Sequence, residues 1–123
     1  STCCDTSVCE FEAGGAVRTY TLRPEELGLA RCEKADLVGG TAQENAVVTR
    51  EILAGKICDG RRDTVLLNAA AGLYVAGAVR TLEDGLARAC ELVESGAALA
   101  TLEAYVRASV ELAPVANGAG GQA

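Results

Sequence analysis

Chemistry in a protein needs a nucleophile beside a base, carboxylates free to trade protons or hold metal, or backbone amides gathered around an anion. Six cysteines are the strongest nucleophiles in this 123-residue chain, and it contains no histidine. A Cys–His or Ser–His mechanism within the chain is therefore excluded, as is any site built on imidazole ligands. Cys3, Cys4 and Cys9 crowd the start, Cys32, Cys58 and Cys90 stand far apart, and no C-x-x-C spacing supports a zinc ribbon or a redox motif. Reduced thiols are expected, with Cys3 and Cys4 prone to adventitious oxidation where exposed. Two adjacent-acid pairs, Glu25-Glu26 and Glu83-Asp84, offer carboxylates. Each falls where a first helical turn is expected, and there negative charge stabilises the helix dipole.

Gly14-Gly15 and Gly39-Gly40 are the glycine clusters, and the second opens a helix whose amides would bind an anion. Neither a G-x-G-x-x-G nor a Walker sequence accompanies them, so tight loops are expected instead. Asn45 and Asn68 fall on apolar helix faces. A buried amide without partners costs about 1–3 kcal/mol. Each is expected to tie a neighbouring loop's backbone to its helix, with ligand contact as the sharper alternative. No residue is assigned a catalytic, cofactor-binding or metal-ligating role.

The elements that must position these residues follow from spacing. Ser7–Glu12 and Val17–Leu22 predict a β-hairpin reversing at Ala13-Gly14-Gly15-Ala16. Pro24 to Gly28 predicts one helical turn. Thr41-x-x-Glu44 is a capping box opening a helix that closes at Gly55, with Val48, Ile52, Leu53 and Ala46 on its apolar arc. A second helix from about Arg62 to Ala76 has no polar face and demands cover on all sides. Thr81-x-x-Asp84 opens a third to Glu94, with a stripe of Leu82, Leu86, Cys90 and Val93 and an Asp84–Arg88 pair on its wet face. A fourth spans about Ala97 to Leu112, striped by Leu99, Leu102, Val106 and Val110, and Pro114 bars its continuation.

Composition narrows the partners. Net charge is −6, the only lysines are Lys34 and Lys56, and the Arg61-Arg62 pair is bracketed by Asp59 and Asp63. Nucleic acid is not an expected partner. At 50% hydrophobic and 23% charged, the chain reads as a single folded unit. The longest apolar run, residues 64–79, is too short to cross a bilayer. The first residues lack the basic and apolar segments of a secretory leader, and a cytoplasmic location away from membranes is expected.

In chain order stand Thr6-Ser7-Val8-Cys9-Glu10, then Tyr20-Thr21-Leu22-Arg23-Pro24-Glu25-Glu26-Leu27-Gly28-Leu29. Gly39-Gly40-Thr41-Ala42-Gln43-Glu44-Asn45-Ala46 and Ile52-Leu53-Ala54-Gly55 follow, then Arg62-Asp63-Thr64-Val65-Leu66-Leu67-Asn68-Ala69-Ala70 and Ser95-Gly96-Ala97-Ala98. This series resembles the C-terminal third of the anthranilate phosphoribosyltransferase family, nucleoside-phosphorylase-like transferases of tryptophan synthesis, over residues 1 to about 112. The resemblance implies an α/β parent domain joined to a smaller helical one. This segment would be mainly α, one N-terminal β-hairpin followed by four longer helices at 1–112, with a flexible tail at 113–123.

The activity so implied is transfer of phosphoribose from phosphoribosyl pyrophosphate to the amine of anthranilate, using Mg²⁺, in a homodimer. Metal ions and amides would stabilise departing pyrophosphate beside a cationic sugar carbon. The family's Gly-rich pyrophosphate loop, its Lys-His-Gly-Asn stretch and its Asp-Glu metal pair match positions before Ser1, so none is carried onto this chain. Cys3, Cys4 and Asp5 depart from the family's usual small and turn residues. The chain is expected to be a piece of a longer polypeptide and inactive alone. A non-enzymatic helical module that folds by association, through the apolar sides of residues 62–76, stays open as the alternative.

Overall fold

Two short strands begin the chain. In the computed structural model the described residues are 1–11 and 14–112. Glu12 of the first expected strand, Ala13 of the expected turn and the expected tail at 113–123 lie outside them. Strands β1 (Thr6–Phe11) and β2 (Val17–Leu22) pair antiparallel, with Thr6 opposite Leu22 and Phe11 opposite Val17. Gly14 and Gly15 take φ of 111° and 88°, a region closed to most side-chain-bearing residues, which explains a reversal built on glycine. A 3₁₀ turn at Pro24–Leu27 follows, as the Pro and paired acids predict. A second at Lys34–Leu37 was not predicted, although the Asp36 carboxylate accepts the Glu33 backbone N–H at 2.9 Å.

Four helices follow: α1 (Ala42–Leu53), α2 (Gly60–Val75), α3 (Leu82–Glu94) and α4 (Ala97–Leu112). The α1 capping box is reciprocal: Thr41 N–H donates to Glu44 Oε2 at 2.8 Å, and Glu44 N–H donates to Thr41 Oγ1 at 3.3 Å. Helix α2 starts two residues earlier than expected because the Asp59 carboxylate accepts the Arg61 N–H at 2.9 Å. Thr81 caps α3 by accepting the Asp84 N–H at 3.0 Å. The fold is mainly helical with one hairpin, as the sequence predicts.

Helices α2 and α3 build the centre. Leu66, Ala89 and Val93 are buried together, flanked by Leu53, Leu86, Cys90 and Ala98. The seam of α3 runs through Gly85, Ala89 and Val93, leaving the predicted Leu82, Leu86 and Cys90 half-buried at its edge. Small residues let the backbones close in: a Cβ on Gly85 would lie 2.7 Å from the Ala70 carbonyl oxygen. Sequestering a side chain such as Leu66 stabilises the fold by roughly 1.5–3 kcal/mol.

Cover is incomplete elsewhere. Leu66, Leu67 and Ala70 of α2 are buried, but Val75 remains 83% exposed, so the demand of an all-apolar helix is not met among the described residues. Along α4, Leu99, Leu102 and Val106 are half-buried, whereas Val110 is exposed. Arg88 pairs with Glu91 at 2.6 Å, one turn toward the C-terminus, in place of the expected Asp84. No helix among the described residues is long and apolar enough to cross a membrane.

Candidate functional site

The loop before α1, one side of α1 and the first turns of α2 border an open groove of about 600 Å³, lined by Gly39, Gly40, Glu44, Asn45, Arg61 and Thr64 among others. Its charged groups are already engaged. Thr41's backbone amide and hydroxyl hold the Glu44 carboxyl below the usual carboxylate range. Arg61 folds back onto Asp59 at 2.7 Å and depresses that carboxyl's pKa. The glycine pair is explained by close approach: a Cβ on Gly39 would meet Asn45 Oδ1 at 2.8 Å, and one on Gly40 would press into the Glu44 carboxylate. Gly40 N–H donates to Asn45 Oδ1 at 2.9 Å, and Asn45 Nδ2 donates to the Gly40 carbonyl at 3.1 Å. Asn45 thus ties loop backbone to helix as expected, but from an exposed position.

Asn68 corrects the second expectation. It is exposed, and its Nδ2 donates to the Thr64 carbonyl of its own helix at 2.8 Å rather than to a loop. Glu83 and Asp84 occupy the first turn of α3, as the dipole argument predicts. Glu25 and Glu26 belong to a surface ion network. Asp5 accepts from Arg31 at 2.6 Å and Arg23 at 3.3 Å, Arg31 also donates to Glu25 at 2.6 Å, and Arg23 to Glu26 at 2.9 Å. Arg31 holds the Asp5 and Glu25 carboxyls below their ordinary values.

Glu10 is a hub that spacing did not reveal. It accepts from Arg18 at 2.8 Å and from the Tyr74 hydroxyl, joining the hairpin to α2, while Arg18 lies 5.0 Å over the Tyr20 ring. Arg18 lowers the Glu10 carboxyl, and the carboxylate in turn raises the Tyr74 phenol. Burial is the main cause of the upward shift at Tyr20. The strand register sets Glu10 directly opposite Arg18, a pairing that spacing alone does not fix. A second missed feature is Thr2, wholly buried with its hydroxyl against Thr64 Oγ1 and 3.3 Å from Cys32 Sγ.

A hard cation needs several carboxylate or carbonyl oxygens converging on one point. Asp5, Glu10, Glu25 and Glu26 are instead bound to arginines. No group of three or more Cys, Asp or Glu among the described residues is placed to hold a metal. The Mg²⁺ implied by the resemblance does not fit this segment, and no step is derived through it. What the geometry offers is a set of tied loops around a packed helix pair.

Known proteins resemble this chain in sequence and in arrangement. The family described as "Glycosyl transferase family, a/b domain" matches residues 1–99. The anthranilate phosphoribosyltransferase of Methanobrevibacter smithii is 46% identical over 101 residues, which cover 82% of this chain and 30% of that protein. The enzyme of the same name from Anaeromyxobacter sp. (strain K) is 49% identical over 104 residues, 85% of this chain and 30% of the relative. Among solved structures, anthranilate phosphoribosyltransferase (TrpD) from Thermus thermophilus superposes with a TM-score of 0.70 at 41% identity, covering 76% of this chain and 28% of that one. The chain thus spans about 30% of the length of the curated relatives it matches.

Proposed function

The chain belongs to the glycosyl transferase family, a/b domain, and from that premise we propose that it is the C-terminal portion of an anthranilate phosphoribosyltransferase. The parent enzyme moves phosphoribose from phosphoribosyl pyrophosphate to the amine of anthranilate in tryptophan biosynthesis. Residues 1–112 form part of its α/β domain and serve as scaffold. The observation that carries the assignment is the joint one: 46–49% identity over more than 100 residues to relatives bearing that name, on a shared fold at a TM-score of 0.70.

Within this segment, the work is positioning. Thr2, Thr64 and Cys32 fix the residues leading into β1, and Glu10 with Tyr74 fixes the hairpin on α2. Exposed Phe11, Val17 and Val75 then face the remainder of the enzyme, since large apolar patches are covered in a finished fold. Mg²⁺, both substrates and the catalytic groups are held by that remainder. The whole works as a cytoplasmic homodimer, without membrane or nucleic-acid partners.

The test is a chimera. This segment replaces the corresponding region of the Thermus thermophilus enzyme, and loss of anthranilate fluorescence is followed with phosphoribosyl pyrophosphate present. We expect turnover within about tenfold of the unaltered enzyme, a cost of about 1.4 kcal/mol in the barrier. A chimera that folds and dimerises yet shows no turnover would overturn the assignment.

A further inference from the structure

We propose that Cys3 and Cys4 form a vicinal dithiol that a low-molecular-weight disulfide such as oxidised glutathione closes reversibly, and that closing it loosens the two anchors on either side. The pair sits on a two-residue bridge. On one side, Thr2 is fully buried, its hydroxyl against Thr64 and Cys32 and its carbonyl accepting the Cys32 N–H at 3.1 Å. On the other, Asp5 is held by Arg31 at 2.6 Å and Arg23 at 3.3 Å. Neither sulfur is in the core: Cys4 is exposed and Cys3 partly so.

Cys3 is the attacking group. Its Sγ lies 3.1 Å from Ser1 Oγ, and that hydroxyl first, with the Cys4 thiol assisting, draws its pKa below the ordinary thiol value. The Cys3 thiolate bonds to one sulfur of the small disulfide and expels the other half as a thiolate. Cys4, having lost its proton to solvent, then attacks the Cys3 sulfur and expels the second half. Two protein thiols are oxidised, and one small disulfide is reduced to two thiols.

Coupling to the anchors follows from dimensions. Adjacent Cα atoms are about 3.8 Å apart across a trans peptide, shorter than the roughly 4.4–6.8 Å that disulfides prefer. A bond between neighbours is therefore strained, and strained exposed disulfides are the labile, regulatory ones. That spacing is set by the planar peptide, so the ring closes only by turning φ and ψ at Cys3 and Cys4, which re-aims Thr2 and Asp5. Ring closure and anchoring therefore oppose each other, and the opposition is reciprocal.

The test equilibrates the 123-residue chain with graded ratios of oxidised to reduced glutathione, followed by intact mass and peptide mapping. We expect loss of two hydrogens located at Cys3–Cys4 and reversed by reduced glutathione. The oxidation constant should rise several-fold in Asp5→Asn, in Thr64→Val and in urea, and Cys4→Ser should yield only a mixed disulfide at Cys3. Stable glutathione adducts on both sulfurs, or a bond from either to Cys9, would overturn the dithiol. An identical constant in the native chain, both variants and urea would overturn the coupling.

Discussion

Two regions of this molecule are held by different forces. Helices α2 and α3 meet through Leu66, Ala70, Gly85, Ala89 and Val93, all buried and none titratable. The described residues up to Leu37 add charged contacts to one another and to α2: the Asp5–Arg31–Glu25 and Arg23–Glu26 pairs, and the Glu10 link to Arg18 and Tyr74. Apolar burial carries no charge to screen or to neutralise, whereas exposed ion pairs are screened by salt and neutralised by acid. The helix pair therefore sets whether the fold exists, and the polar region sets how firmly its N-terminal part is attached.

The largest effect should come from emptying the seam. Leu66→Ala is expected to lower stability by about 2–5 kcal/mol, read as a lower urea midpoint. Gly85→Ala comes next, at about 1–3 kcal/mol, since the added methyl meets backbone at Ala70 and cannot be accommodated by a rotamer change. Gly72 also lies on α2, but a methyl added there would find nothing within 4 Å. Gly72→Ala should accordingly stabilise by about 0.5–1 kcal/mol through the backbone term alone. Equal responses at Gly72 and Gly85 would break the claim of close helix approach.

The subtlest effect concerns the polar region. Asp5, Glu10 and Glu25 have carboxyl pKa values depressed by Arg31, Arg18 and Arg31 respectively. A depressed folded-state pKa contributes stability that is present above the unfolded value, near ~4, and is lost as pH falls through the folded value below it. Protection from hydrogen exchange, corrected for the intrinsic rate at each pH, should therefore fall in β1 and β2 below about pH 4 while α3 keeps its protection, and high salt should shift protection the same way. A uniform fall in corrected protection across the chain would erase the distinction between the regions.

Much of this was legible in local pattern. The hairpin, the Thr41–Glu44 box and the four helices are set by neighbours within a few residues, which sequence spacing displays. Contacts between distant residues were not: Asp5 with Arg31, Glu10 with Tyr74 and Thr2 with Thr64 depend on how finished elements meet. The expected α3 stripe held at Val93 and, at the core's edge, at Leu86 and Cys90, but it omitted Gly85 and Ala89, because hydrophobicity ranks Leu86 above Gly85, whereas close packing favours the smaller residue. Asn45 and Asn68 were expected under cover because apolar neighbours mark a helix face without saying whether that face is covered. Family resemblance reached further than spacing, since the order of several short motifs carries information that no single motif holds.

These residues are proposed to scaffold a phosphoribosyltransferase without performing its chemistry. The most direct test of that claim is a steady-state assay of the purified 123-residue chain with anthranilate, phosphoribosyl pyrophosphate and Mg²⁺. No turnover above the uncatalysed background is expected, and sustained turnover proportional to chain concentration would contradict the claim.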